Sequence, residues 1–98
     1  MNYDLTKIIN QTGRTVFVNI ILPGTTIQYS STMFVNDDDY VNLFEGFRPI
    51  IVSDNHGVVL YTSTVNINAP STIILQPNGV GHSYGQVSVP GNWAVHSS

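Results

Sequence analysis

Turn signals punctuate this chain roughly every ten residues, and that spacing constrains its fold more than any other feature. They fall at Asn10-Gln11-Thr12-Gly13, Pro23-Gly24, Asn36-Asp37-Asp38-Asp39, Glu45-Gly46, Asp54-Asn55-His56-Gly57, Asn68-Ala69-Pro70, Pro77-Asn78-Gly79 and Pro90-Gly91-Asn92. A Pro-Gly step sets φ near −65° and then permits a positive φ, and Asn-Gly suits tight hairpins. The intervals are too short for helices of ordinary length but suit strands. They are filled with β-branched and aromatic residues: Leu5–Asn10, Arg14–Leu22, Thr25–Ser30, Thr32–Val35, Tyr40–Phe44, Phe47–Ser53, Val58–Val65, Thr72–Gln76, Val80–Val89 and Trp93–His96. The expected fold is all-β: one small antiparallel β-sandwich or barrel, jelly-roll-like, of about eight to ten strands over residues 1–98, with no long helix.

Composition agrees. Val and Ile number 22, whereas Ala, Glu and Lys total 4, so helical bundles and coiled coils are excluded. Apolar residues make up 42% of the chain, enough for a core. Charged residues make up only 9% of it, where about 25% is usual. The three basic residues, Lys7, Arg14 and Arg48, are scattered. Nucleic-acid binding needs clustered Lys and Arg, so no nucleic-acid partner is expected. There is no cysteine, which removes disulfides, thiolate nucleophiles and Cys-ligated zinc. The N-terminus lacks the pattern of a secretory signal, and no apolar run is long enough for a membrane helix. Synthesis in the cytoplasm without membrane insertion is the expectation.

Alternation along the strands is informative where it fails. Val16, Val18, Ile20 and Leu22 share one face, yet the other carries Phe17 and Ile21. Ile51, Tyr61 and Ile74 likewise sit opposite apolar neighbours. A sheet with one wet face alternates more cleanly. Phe17, Ile21, Ile51 and Tyr61 are therefore the candidate contact surface with another subunit. Pro49, inside the sixth run, implies an edge strand or a bulge.

Several motifs invite a chemical reading. Gly81-His82-Ser83-Tyr84-Gly85 matches the G-x-S-x-G pattern of a hydrolase nucleophile elbow, but no Asp or Glu follows Ser83 to complete a triad. A strand with two glycines accounts for it better, and no catalytic residue is assigned. Asp37 and Asp39 are the only metal-ligand candidates, for Ca²⁺, although the EF-hand spacing is absent. A solvated turn that guards a sheet edge is the simpler reading. His56, His82 and His96 have no metal-ligand spacing. Asn10-Gln11-Thr12 matches a glycosylation sequon and is read as an ordinary turn. Asn36, Asp37, Asp39, Tyr40 and Trp93 could together hold a sugar, with Tyr40 and Trp93 the aromatics expected to be exposed.

Small size, absent cysteine, few charges and abundant Thr, Asn, Val and Ile together resemble small bacteriophage virion proteins, the capsid-decoration or tail-associated β domains. The resemblance is compositional, spans the whole chain and transfers no functional residue. It implies a structural role in a symmetric homo-oligomer on a virion, with itself and other virion proteins as partners. The alternative is a carbohydrate-binding, lectin-like module for surface glycans, with Ca²⁺ as its candidate cofactor.

Overall fold

The computed structural model describes residues 3–22, 24, 27–85 and 87. Eight strands follow one another: β1 (Tyr3–Asn10), β2 (Val16–Ile21), β3 (Ile27–Met33), β4 (Asp38–Phe44), β5 (Gly46–Asp54), β6 (Val59–Ile67), β7 (Ser71–Gln76) and β8 (Gly79–Tyr84). There is no helix among the described residues, and hence none long and apolar enough to cross a membrane. The Trp93–His96 run lies outside the described residues.

The strands form two four-stranded sheets in a sandwich-like arrangement, ordered β4-β1-β7-β8 and β3-β2-β5-β6. Among the described residues neither sheet closes on itself, which fits a sandwich and gives no support to a barrel. The pairing is antiparallel throughout except for β1 with β7, which is parallel, with Ile8 opposite Ile73. That pair departs from the antiparallel expectation. Turn chemistry marks where a strand ends but not which distant strand it lies beside.

One face of each sheet supplies the core. Ile8, Val41, Leu43, Ile73 and Leu75 come from the first sheet. Val16, Val18, Ile20, Tyr29, Met33, Ile50, Val52, Val65 and Ile67 come from the second. The alternation of β2 is realised: Val16, Val18 and Ile20 are at most 1% exposed, and Leu22 falls just past the strand. In β6 a register shift opposite Val52 and Ser53 interrupts the alternation expected from Val58 onward.

Pro49 has a different context from the one expected. β5 is an interior strand, paired with both β2 and β6. The β2 ladder, however, ends at Ile20 opposite Ile50, one residue before Pro49. Proline has no N–H to donate, so the ladder stops where a donor would next be required. The interruption is at the end of a ladder rather than along the edge of a sheet.

One polar side chain ties the upper turns together. Asn10 is fully buried at the end of β1. Its Nδ2 donates to the carbonyls of Arg14 (2.8 Å), Met33 (3.1 Å) and Phe34 (3.0 Å). Its Oδ1 accepts from the Thr12 amide (3.0 Å) and the Thr12 hydroxyl (2.7 Å). The Asn10 amide also donates to the Asp37 carbonyl, and the Asn36 amide to the Asn10 carbonyl. The sequon is thus an Asx-type turn whose asparagine is wholly engaged.

Candidate interaction surface

The acidic turn joins β3 to β4, and its carboxylates are engaged one by one. Asn36 takes a positive φ of 64°, a conformation that Asn tolerates better than most residues. Asp37 Oδ2 accepts the Phe34 amide at 3.0 Å. Asp38 faces Lys7 at 3.6 Å. Asp39 Oδ2 accepts the Tyr29 hydroxyl at 2.6 Å, and burial together with that carboxylate raises the Tyr29 pKa. This bond links β3 of one sheet to β4 of the other. Asp37 and Asp39 therefore act in turn closure and in joining the sheets. Among the described residues, no group of three or more His, Asp or Glu side chains converges to hold a metal.

Tyr40 is not exposed as expected. It is 9% exposed, on the outer face of the first sheet, with the Lys7 ammonium 5.6 Å from its ring centroid. Tyr40 lies opposite Lys7 in the β1–β4 ladder, and the long lysine stem covers the ring. Asn36, Asp37 and Asp39 thus do not share an open aromatic platform with Tyr40, and Trp93 lies outside the described residues.

The G-x-S-x-G stretch occupies β8, an edge strand, with Ser83 opposite Thr72 in an ordinary antiparallel ladder. His82 Nε2 lies 2.8 Å from Ser71 Oγ, and burial lowers the His82 pKa. Ser71 is fully buried and out of reach of a substrate. His56 belongs to the Asp54 turn: Asp54 Oδ1 accepts the His56 and Val58 amides at 2.8 and 2.9 Å. The Val58 and His56 amides, in that order, hold the Asp54 carboxyl below its usual value. His96 lies outside the described residues.

The outer face of the β3-β2-β5-β6 sheet is different in kind. Its strands contain two charged residues, Arg48 and Asp54. Arg48 is buried between the sheets, and Asp54 closes the turn after β5. No charge remains within the outer face, and Asp54 stands at its rim near Phe17. Ladder partners share a face, and this assigns it: Phe17 sits beside Thr32 and Ser53, and Ile51 beside Asn19 and Thr62. Phe17, Ile21 and Ile51 lie here, with Phe47 at 68% and Ile27 at 55% exposure. Thr62, Thr64 and Pro49 complete the outer half toward β6. Three of the four expected contact residues are therefore on one surface. Tyr61 is not among them: it pairs with the buried Val52 and packs against the core.

Sequence reasoning missed one buried and one half-buried charged group, Arg48 and Asp4. Arg48 is 6% exposed and donates from Nη2 to the Glu45 carbonyl at 3.3 Å. Gly46 makes room for it: its φ is +120°, and a Cβ there would lie 2.5 Å from the guanidinium. Nearby in sequence, Asp4 is pushed up to about 6, first by desolvation and then by the Glu45 carboxylate. Asp4 falls at an inward position of β1, opposite the buried Leu43. An alternation count that treated Asp4 and Arg48 as inward positions would have found both.

In comparison with known proteins, no family model, no curated protein and no solved structure matches the chain.

Proposed function

We propose that this chain is a non-enzymatic structural protein that works in a symmetric homo-oligomer, burying the outer face of the β3-β2-β5-β6 sheet against neighbouring copies. The observation that carries the proposal is the uneven distribution of the few charges. They lie on the first sheet, in turns or between the sheets, and leave one whole outer face with none. A soluble domain ordinarily intersperses charges over its surface to resist association. A face with Phe17, Phe47, Ile21 and Ile51 and no charge has the character of an interface core, where charged residues are depleted and aromatics enriched. The setting we propose is a virion surface, as a decoration or tail component, in keeping with the chain's composition.

The test is to place a charge on that face. Ile51→Lys puts an ammonium among apolar neighbours in any assembly that buries it, and the expected result is at least about tenfold weaker self-association by sedimentation velocity. Lys7→Ala, on the other sheet, is expected to leave association unchanged. Equal association of the wild-type protein and Ile51→Lys would overturn the proposal.

One observation favours a second reading, carbohydrate binding, at a place other than the acidic turn. Thr15, Val16, Phe17, Thr32, Asp54, Asn55 and Gly57 line a cleft of about 240 Å³. It sets the Phe17 ring, 37% exposed, beside amide, carboxyl and hydroxyl groups. Such a mixture suits a sugar's apolar face and its hydroxyls. A glycan array that gave no binding lost on Phe17→Ala would remove this reading.

A further inference from the structure

We infer that a second copy of this chain adds to the open edge of β6, so that two β3-β2-β5-β6 sheets join into one eight-stranded sheet across a two-fold axis at Ser63. The inference rests on the self-association proposed above and adds a second contact to it, made in the plane of the sheet and leaving the outer face free for further copies. Exposed sheet edges are templates for strand addition, and proteins usually protect them with charge, Pro, Gly or bulges. The first sheet follows that rule: edge strand β4 carries Asp38 and Asp39, and edge strand β8 carries Gly79 and Gly81. The second has only bulges: its edge strands, β3 and β6, each show one register shift but contain no charged residue, no Pro and no Gly.

Of these two edges, β6 is the open one among the described residues. β3 has a register shift where Ile21 meets Ile27, and Tyr29 ties it to Asp39 of β4. β6 runs 9 residues and is regular from Tyr61 to Ile67. Two observations show which of its backbone groups face outward. Pro49 is opposite Thr64 and has no N–H, which suits a non-hydrogen-bonded pair. In such a pair, Thr64 turns its N–H and C=O away from β5. Asn66 has the same parity, and its carbonyl accepts the Tyr84 hydroxyl at 2.9 Å. Thr62 and Thr64 therefore present donors and acceptors to the edge.

A two-fold axis through Ser63 places Thr62 of one copy opposite Thr64 of the other, twice. Each such pair exchanges two backbone hydrogen bonds, which makes four across the axis. The register avoids both the irregular start of β6 and the occupied Asn66 carbonyl. On the outer face the facing side chains are threonines, a favourable cross-strand pairing. Ser63 meets its own copy in a non-hydrogen-bonded pair, where Cβ atoms lie about 5 Å apart, close to disulfide distance.

The chain has no cysteine, so one substitution reads the register. Ser63→Cys is expected to form a covalent dimer under mild oxidation, and Thr32→Cys, on the other edge strand, is not. A second pair of variants needs no cross-link. Thr62→Lys with Thr64→Lys opposes like charges across the axis and is expected to weaken association about tenfold or more. Thr62→Lys with Thr64→Glu opposes unlike charges and is expected to retain it. If the protein associates but Ser63→Cys cross-links no better than Thr32→Cys, and both charge variants associate alike, this register is overturned while the face-burial reading stands. A wild-type protein that is monomeric throughout overturns both.

Discussion

Asn10 gives the sharpest test of how this fold is held together. Its side chain makes five polar contacts, but an amide has two N–H groups, so the three carbonyl contacts share two protons. Two donated and two accepted bonds at about 1 kcal/mol net each give roughly 4 kcal/mol. The Arg14 carbonyl keeps the Thr12 hydroxyl at 3.0 Å, which lowers the loss. We therefore expect Asn10→Ala to destabilise by about 3 kcal/mol, a fall in Tm of roughly 12–24 °C for a domain of this size. Asn10→Asp is nearly isosteric and more revealing. It keeps the acceptor for Thr12 but points a carboxylate at three carbonyl oxygens. Burial and those dipoles raise the folded-state pKa of the new carboxyl above its unfolded value of about 4. The sign follows: the deficit relative to wild type is smallest near pH 4, where the group is protonated and can donate one bond, and grows as the pH rises. Urea denaturation at pH 4 and pH 7.5 measures both. A loss of under about 1 kcal/mol at pH 7.5, or a deficit independent of pH, would refute the central place given to this side chain.

The remaining predictions concern charge and ligands. Asp4, raised to about 6 beside Glu45, disfavours the folded state progressively from about pH 4 to pH 6 and fully above that. Asp4→Asn should therefore raise Tm at pH 7.5 and leave it unchanged below pH 4, and a variant that melts lower at pH 7.5 would contradict the assignment. His82 is held neutral by burial, so it favours folding fully above its ordinary value of about 6.5, a contribution lost as pH falls below that. Its Cε1 proton should titrate by NMR below the midpoint of a free imidazole. With the Asp37 and Asp39 carboxylates engaged by protein donors, EDTA and added Ca²⁺ should leave the melting temperature unchanged, and a shift of several degrees with Ca²⁺ would reopen the metal reading.

The strands were legible from the sequence because turn residues and β-branched runs act locally. Asn10-Gln11-Thr12-Gly13 ends β1, Asn78-Gly79 opens β8, and Val16, Val18 and Ile20 declare the buried face of β2. What was not legible depends on partners far along the chain. The parallel pairing of β1 with β7 has no local signature. Tyr40 looked exposed beside three aspartates, and only the β1–β4 register places the Lys7 stem over it. Tyr61 looked like Ile51 in its strand, but the register shift in β6 turns it toward the core. The uncharged outer face was half visible: second-face apolar residues in β2 and β5 singled out Phe17, Ile21 and Ile51. Phe47 and the bare edge of β6 became apparent only once the strand order showed which strands lie side by side.

The central claim is that the uncharged outer face of the β3-β2-β5-β6 sheet is covered by copies of the same chain. Sedimentation equilibrium of the wild-type protein across the micromolar range tests it most directly. The account predicts a mass that is a whole multiple of 10.7 kDa and falls on dilution or on Ile51→Lys. A mass of 10.7 kDa at every concentration would contradict it.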